Sequence, residues 1–188
     1  MTLRISAGKK RGLKLHLPGD PSVRPTQSKV REAIFSMLYE VSPEAKVLDL
    51  YAGSGAMGLE AVSRGAKSAV FVDNSEDAMK TITKNMALFG ECELSVVRAE
   101  LPKECFSLAF YGPFDLIFMD PPYGDGLTAG ENLNQMTSFA LAAEGALCVW
   151  EMSASTLKTL DDKIFSGWEL TKKRAWGEKG AAFFSYAP

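Results

Sequence analysis

Short apolar runs and longer amphipathic segments alternate along most of this sequence. Five runs of five to seven residues are rich in Val, Leu, Ile and Phe, and helix-length segments separate them. Strands that alternate with helices predict right-handed crossovers, and hence an α/β fold with a mainly parallel sheet and helices on both faces. The predicted strands are Lys46–Tyr51, Ser68–Asp73, Glu93–Val97, Phe114–Asp120 and Gly145–Trp150.

Two more apolar runs predict a closing hairpin near the C-terminus. Trp168–Trp176 and Ala181–Tyr186 flank the segment Gly177–Gly180, whose two glycines are typical of a tight turn between antiparallel strands. We therefore expect a seven-stranded sheet with an antiparallel C-terminal hairpin strand.

The first 42 residues have a pattern of their own. Apolar and basic residues alternate through Leu3–Pro18 around a glycine-flanked basic turn, which predicts a small β-hairpin with a cationic face. A helical pattern follows, with Thr26 as its N-cap, and it ends at Ser42-Pro43. We expect residues 1–42 to extend a core of residues 43–188 within one doubly wound, Rossmann-like domain.

The composition restricts the possible classes of protein. With 46% hydrophobic residues in 188, the chain can form one core, and no apolar run reaches the roughly 18 residues of a membrane span. The three cysteines lie far apart without a Cys-x-x-Cys pair, and with the one histidine, His16, they do not form a usual zinc-ligand set. We expect a soluble, cytoplasmic, monomeric protein with free thiols and no metal.

The charge is unevenly distributed along the chain. The formal net charge is −2, but residues 1–31 hold eight basic side chains and one acid, Asp20, and so carry a net charge of +7. Such a segment favours contact with a nucleic acid, because release of counterions from phosphates drives binding. A charged surface that only aids solubility is the open alternative. The basic residues are Arg4, Lys9, Lys10, Arg11, Lys14, Arg24, Lys29 and Arg31.

A glycine-rich turn follows the first predicted strand. Gly53, Gly55 and Gly58 form a Gly-x-Gly-x-x-Gly motif, in which glycines allow a tight turn and let a ligand approach the backbone. Asp73 closes the next strand, 20 residues after Gly53, where a carboxylate can accept hydrogen bonds from both ribose hydroxyls. A glycine triplet alone can be a structural turn, but the combination predicts an adenosine-containing cofactor.

Asp49, near the end of the first strand, favours S-adenosylmethionine as that cofactor. A dinucleotide places its pyrophosphate at the helix N-terminus, where a neighbouring carboxylate repels it. S-adenosylmethionine has no phosphate and carries an ammonium and a sulfonium, which a carboxylate attracts. The alternative is that Asp49 only caps amides of the loop. The residues expected to bind the cofactor here are Asp49, Ala52, Gly53, Ser54, Gly55, Gly58, Asp73 and Asn74.

The strongest chemical motif is Asp-Pro-Pro-Tyr at the end of the fourth predicted strand. Ligands bind at this carboxyl edge in open α/β sheets, and the two prolines remove N–H donors, so nearby carbonyls remain available as acceptors. Asp120 and the Pro121 carbonyl can hold an exocyclic amine while Tyr123 stacks on the base. A proline turn beside a core tyrosine is the structural alternative. The residues expected to act in catalysis are Asp120, Pro121, Pro122 and Tyr123.

Taken with the N-terminal segments, these motifs resemble the RsmD family of class I S-adenosylmethionine-dependent methyltransferases. The resemblance covers nearly the whole chain, and its most specific parts are the N-terminal ones. It departs from the family pattern at Tyr51, Met57 and Asp73, all mildly. The matching segments are Ile5–Gly8, Arg11–Lys14, Arg24–Thr26, Val30–Phe35, Leu48–Ala66, Asp120–Tyr123 and Trp176-Gly177.

The resemblance implies methyl transfer to the exocyclic N2 amine of a guanine in 16S ribosomal RNA, on the free RNA or on an assembling small subunit. It also implies that Thr26 joins the basic residues in contacting RNA, that Asp120 also lines the cofactor site, and that Ala99 and Glu100 loosely match the contact to the adenine edge. Arg24 and Arg31 can instead be structural, paired with acids such as Glu32 or Glu60.

Two other functions fit the same residues. One is an amine methyltransferase of this fold that acts on a protein, a small molecule or another nucleic acid, and the other is a non-catalytic RNA-binding protein. We also expect a flexible segment, Gly124–Gly130, to close over the bound base.

Overall fold

The computed structural model describes residues 3–19, 28–38, 40–90, 92–122, 126–160 and 165–188. The strands are β1 (Lys46–Leu50), β2 (Ser68–Asp73), β3 (Glu93–Arg98), β4 (Phe114–Met119), β5 (Ala142–Ser153), β6 (Trp168–Trp176) and β7 (Lys179–Tyr186). The helices are α1 (Ser28–Met37), α2 (Ala56–Ser63), α3 (Glu76–Ala87), α4 (Gly126–Ser138) and α5 (Ala154–Thr159), and Cys105–Leu108 forms a short 3-10 helix.

Within these residues, seven strands form one sheet in the order β3-β2-β1-β4-β5-β7-β6. β2 is parallel to β1 and β3, and β5 is parallel to β4. β7 is antiparallel to both of its neighbours, β5 and β6. The predicted Rossmann-like, mainly parallel sheet with an antiparallel C-terminal hairpin strand is therefore confirmed. Backbone contacts divide the chain into two compact units, Met1–Arg98 and Ala99–Pro188, and the predicted single domain with a boundary after residue 42 stays a prediction.

The first unit contains a three-stranded parallel section in which β1 and β2 are almost fully buried. Such strands have continuous apolar runs rather than alternation, as the sequence has here. Helix α3 illustrates why these segments are helical. The Ser75 hydroxyl caps it by accepting from the amide of Ala78, and Glu76 and Asp77 in its first turn favour the positive end of the helix dipole.

The predicted N-terminal hairpin is present in short form. Arg4 and Lys14 form an antiparallel bridge, and the amide of Ile5 donates to the carbonyl of Leu13 at 3.0 Å. Leu3, Ile5 and Leu15 are buried, whereas Arg4 and Lys14 are exposed, so the alternation does separate an apolar face from a cationic one. The described helix after it begins at Ser28, and the predicted N-cap Thr26 lies outside the described residues.

The second unit contains the rest of the sheet. Its core includes Trp150 of β5 and Phe184 of β7, both 1% exposed. Gly177, with a φ of 66°, begins the two-residue turn between β6 and β7, as expected for a tight hairpin. β5 is longer than predicted, because a register shift against β4 and a φ of 76° at Gly145 let the strand continue through an irregularity.

One expectation about this unit is wrong. Residues 126–130 of the segment expected to be flexible form the first turns of α4, and Gly124 and Asp125 lie outside the described residues. Gly126 and Gly130 are both part of this helix. None of the helices in the described ranges combines the length and the hydrophobicity that crossing a bilayer requires.

Candidate active site

The segment between β1 and α2 is a tight turn with several left-handed residues. Tyr51, Gly53 and Gly55 have φ angles of 59°, 54° and 74°, and the amide of Gly55 donates to the carbonyl of Ala52 at 2.7 Å. Glycine adopts this conformation freely, whereas a residue with a Cβ does so at a cost of about 1–2 kcal/mol. Backbone strain of this kind, seen at Tyr51, is concentrated at functional sites in proteins.

The glycines of the motif differ in their surroundings. A Cβ at Gly53 would meet no atom within 4 Å, so the backbone there faces open space. A Cβ at Gly58 would lie 2.5 Å from Cε1 of Phe71 and 3.3 Å from the Cβ of Asp49. Gly58 therefore allows α2 to pack closely on the strands, while Gly53 leaves room for a ligand to approach the backbone.

Two carboxylates, those of Asp49 and Asp73, accept hydrogen bonds from backbone amides of this turn and of α2. Asp49 is 3% exposed, and its Oδ2 accepts from the amide of Gly58 at 2.9 Å. Half-buried Asp73 accepts from the amide of Gly53 through Oδ2 and from that of Ser75 through Oδ1, both at 2.9 Å. The capping role that the sequence left open for Asp49 is thus present. It leaves the cofactor role possible, because each carboxylate oxygen can accept more than one hydrogen bond.

The remaining cofactor-binding candidates of the first unit lie on the same two loops. Ala52 is buried, and its amide donates to the carbonyl of Val72 at 3.0 Å. The carbonyl of Ser54 accepts from Nδ2 of Asn85 at 2.9 Å. Asn74 is exposed beyond β2. The structure thus brings together Asp49, Ala52, Gly53, Ser54, Gly55, Gly58, Asp73 and Asn74 around one turn.

Ala99 and Glu100 are the first residues of the second unit. Their predicted contact with the adenine edge of the cofactor stays a prediction. Ala99 is 3% exposed. Glu100 is exposed and forms an ion pair with Lys103 at 2.6 Å, and its amide donates to Glu104 at 2.6 Å. The Glu100 carboxylate is therefore already engaged with a neighbouring lysine.

Asp120 stands immediately after β4, in the second unit. Four residues of β4, Leu116 to Met119, are buried, and Asp120 itself is exposed at the strand end. Pro121 is half-buried, Pro122 is exposed, and Tyr123 lies outside the described residues. The buried strand thus ends in an exposed carboxylate, followed by the half-buried Pro121.

Two opposing effects act on the pKa of the Asp120 carboxyl. Protein packed around it raises the pKa of its carboxyl, and the ammonium of Lys179 opposes this with a smaller effect that lowers the pKa. Lys179 comes close because β7 runs antiparallel to β5, with Lys179 opposite Ser153 near the carboxyl end of that strand.

Comparison with known proteins identifies the family. A family model described as Conserved hypothetical protein 95 matches residues 3–185. Ribosomal RNA small subunit methyltransferase D of Escherichia coli (strain K12) is 34% identical, with 94% of this chain and 86% of that protein covered. YlbH of Bacillus subtilis (strain 168) is 30% identical, with 97% and 98% covered. The solved structure of yhhF from Escherichia coli has a TM-score of 0.80 at 30% identity, with 100% and 99% covered.

The chain belongs to the RsmD family. This membership confirms the predicted resemblance, and with it a methyltransferase of Rossmann-like fold that uses S-adenosylmethionine as its cofactor. The match extends over the N-terminal hairpin as well as the strands and helices of the core.

The N-terminal basic residues that were predicted to contact RNA in this RsmD-family chain differ in their exposure. Arg4, Lys9, Arg11 and Lys14 are exposed on the hairpin, in positions where they can meet a polyanion. Lys10 is half-buried, with its Nζ 3.2 Å from the carbonyl of Leu88 and over the ring of Phe89. Arg24 and Thr26 lie outside the described residues, so their predicted RNA contacts stay predictions.

Arg31 is buried and paired with Glu60, as the structural alternative for this residue predicts. Its side chain is 2% exposed, and Nε lies 3.3 Å from Oε2 of Glu60, which is fully buried. An Nη2–H of Arg31 also donates to the carbonyl of Arg4. A guanidinium enclosed in this way has no surface to offer to RNA, so the predicted RNA contact of Arg31 is corrected to a structural role.

Glu60 connects the N-terminal hairpin to α2. Its two oxygens accept from the amide and hydroxyl of Ser6 and from the amide of Ala7, at 2.6–3.1 Å. Arg64, one turn further along α2, adds a second cation at 2.9 Å. A buried charge is tolerated when it is paired and fully hydrogen-bonded, as this one is.

Sequence reasoning missed Asn85, which contacts the turn after β1, and Lys179, which acts on Asp120. Asn85 was detectable in principle, because it is a polar residue on the apolar stripe of α3 with Ala78 and Ile82. Lys179 had no signal in the sequence, because it approaches Asp120 only through strand pairing. In the described ranges, no group of three or more His, Cys, Asp or Glu side chains could hold a metal ion, and the expected absence of a metal stays a prediction.

Proposed function

We propose that this methyltransferase transfers a methyl group from S-adenosylmethionine to the exocyclic N2 amine of a guanine in 16S ribosomal RNA. The observation that carries the proposal is the Asp120-Pro121-Pro122 segment at the end of the buried strand β4. The name of the Escherichia coli relative, Ribosomal RNA small subunit methyltransferase D, supports the substrate class.

The turn after β1 fits S-adenosylmethionine better than a phosphate-containing cofactor. Its backbone is open at Gly53, and a buried carboxylate, Asp49, lies against it. Asp49 attracts the cationic groups of the cofactor and repels a pyrophosphate. We propose that Asp73 accepts from the ribose hydroxyls through the lone pairs that its two amide contacts do not use. When bound, the cofactor supplies an electrophilic methyl group on a positively charged sulfur.

Asp120 and Pro121 would hold the target amine. The lone pair of the guanine amine is delocalised into the ring, so the amine is a poor nucleophile. An acceptor on each N–H, the Asp120 carboxylate and the Pro121 carbonyl, localises that lone pair on nitrogen and fixes its direction. The carboxylate also stabilises the positive charge that develops on nitrogen before the proton leaves. We propose that Pro122 rigidifies the segment and that Tyr123 stacks on the base.

The exposed cations of the hairpin would contact RNA phosphates. They act without regard to sequence, through charge and counterion release. The target base must leave its stack to reach Asp120, at a cost of a few kcal/mol in a duplex and less in a loop. The monomeric state and the cytoplasmic location expected from the sequence stay predictions.

The proposal is tested by methyl transfer from labelled S-adenosylmethionine to 16S ribosomal RNA and to small-subunit particles, with nucleosides identified by mass spectrometry. N2-methylguanosine is the expected product, and Asp120→Asn should lower kcat/KM by about 100- to 1,000-fold, because it removes a charged group that acts at the transition state. Asp115→Asn is the matched control, because Asp115 is an exposed aspartate near the start of β4, the strand that Asp120 follows.

Three results would contradict the proposal. Label in protein or in a small amine, with none in RNA, would assign the motif to another amine methyltransferase. RNA binding without transfer would indicate a non-catalytic protein. Full activity of Asp120→Asn would remove the role given to that carboxylate.

A further inference from the structure

The side chain of Asn85 joins the cofactor turn to the N-terminal segment. Asn85 is fully buried on α3. Its Nδ2 donates to the carbonyls of Ser54, at 2.9 Å, and His16, at 3.0 Å, and its Oδ1 accepts from the amide of His16 at 2.7 Å. Both donors and the acceptor are therefore used on backbone groups of two segments that are far apart in the sequence.

The bond to Ser54 fixes a peptide group of the cofactor turn. The peptide between Ser54 and Gly55 has its carbonyl held by Asn85 and its N–H held by the carbonyl of Ala52 at 2.7 Å. With both ends fixed, the peptide plane cannot rotate, and the neighbouring Gly53 keeps its orientation. Replacing Asn85 by an apolar residue frees one end of that plane.

Other contacts attach the N-terminal segment along the same two helices. The amide of Gly19 donates to Asp77, in the first turn of α3, at 2.7 Å. The amides of Lys9 and Lys10 donate to the carbonyl and hydroxyl of Ser63, at the end of α2, at 2.7 and 3.0 Å. The hairpin therefore contacts α2, which follows the turn, and α3, which follows Asp73. The side chain of Asn85 forms hydrogen bonds to both the N-terminal segment and the turn.

We infer that Asn85 is a positioning residue that couples the cofactor turn to the basic hairpin, so that filling the turn orders the hairpin for RNA and RNA on the hairpin strengthens cofactor binding. The inference rests on the proposed function, because it takes the hairpin as the RNA-contacting surface. The two effects are equal in size, because coupling between two bound ligands is reciprocal. Cofactor binding that orders a segment in advance lowers the entropy that RNA binding must later remove.

The test is hydrogen exchange of the full chain with and without S-adenosylhomocysteine, followed by mass spectrometry of peptides covering residues 3–19 and 51–55. In the wild-type protein, the ligand should slow exchange in both regions. In Asn85→Leu, slowing should persist in the turn and be lost in the hairpin, with cofactor affinity roughly two- to tenfold weaker. Asn132→Leu is the matched control, since Asn132 is also a fully buried amide but belongs to the second unit, and it should respond like the wild type.

The readout is the ligand-induced difference, which a merely structural role of Asn85 would not change. If Asn85→Leu does not fold, His16→Pro removes the amide that donates to Oδ1 of Asn85 and keeps both bonds of Nδ2, to the carbonyls of Ser54 and of residue 16. It should therefore weaken the hairpin response while retaining cofactor binding. Slowing confined to the turn in the wild type, or undiminished in the hairpin of these variants, overturns the inference and leaves the proposed function standing. Failure of the wild type to bind S-adenosylhomocysteine overturns both.

Discussion

Replacing Arg31 by methionine tests the structural role of this residue against the RNA contact expected from the sequence. If Arg31 contacts RNA, Arg31→Met weakens RNA binding and leaves the fold intact. If it is structural, the change breaks the buried pair with Glu60 and the hydrogen bond to the carbonyl of Arg4. The structure supports the second outcome, because Arg31 is 2% and Glu60 is 0% exposed.

The expected loss follows from what remains around Glu60. Removing one partner of a buried ion pair costs about 3–5 kcal/mol, chiefly because the other charge is left unpaired. Here Arg64 still lies 2.9 Å from Oε1, and the donors of Ser6 and Ala7 stay in place. We therefore expect the lower end, about 3 kcal/mol, which corresponds to a fall in Tm of about 6–12 °C for a chain of this length.

Two measurements decide the question, urea denaturation and the salt dependence of RNA binding. Arg31→Met should lower the free energy of unfolding, and the slope of log K against log salt should stay unchanged when measured well below the lowered Tm. The control is Arg11→Met on the exposed hairpin, where stability should change by less than about 0.5 kcal/mol. There the slope should become shallower by about 0.7–0.9, one phosphate contact. Full stability of Arg31→Met together with a shallower slope would refute the reasoning.

Three further predictions concern the two loops. Lys179→Met removes a charge that lowers the pKa of Asp120, so the acid limb of the pH profile of kcat/KM should move to higher pH, whereas Lys179→Arg should keep it in place. A carboxyl whose folded pKa is raised destabilises the protein as pH rises through that pKa, so Asp120→Asn should raise the free energy of unfolding at pH 8 more than at pH 5. The same difference in denaturation midpoint between variant and wild type at both pH values would contradict this. Gly58→Ala places a Cβ 2.5 Å from Phe71, so it should cost about 1–3 kcal/mol in denaturation and weaken S-adenosylhomocysteine binding in calorimetry; unchanged stability would contradict the packing role given to this glycine.

The elements of the fold could be predicted because local patterns determine them. Buried parallel strands have continuous apolar runs, and the alternation in residues 3–15 matches a hairpin with one buried face. The turn after β1 could be predicted for the same reason, since two of its left-handed positions are at Gly53 and Gly55, although the third, at Tyr51, is not a glycine. Each of these patterns occupies the same short stretch of sequence as the strand, hairpin or turn that it predicts.

The contacts that the sequence did not predict are those between distant segments. Nothing in the residues around Asp120 indicates Lys179, because their proximity depends on β7 returning antiparallel beside β5. Asn85 likewise carries a local signal of burial but none that names Ser54 or His16 as its partners. Burial of a polar residue on an apolar stripe therefore predicts that partners exist, while the topology decides which they are.

The charge count of the N-terminal segment illustrates the same difference and changes the electrostatic argument. Counting gave eight cations, but Arg31 is neutralised by Glu60, and Lys10 is directed to the carbonyl of Leu88. Exposed cations determine how many counterions RNA can release, because a buried pair contributes no net field at the surface. In the described part of the segment these are Arg4, Lys9, Arg11, Lys14 and Lys29. At about 0.7–0.9 per phosphate, these five cations account for a salt slope of about −3.5 to −4.5, less than the eight cations of the sequence count would give.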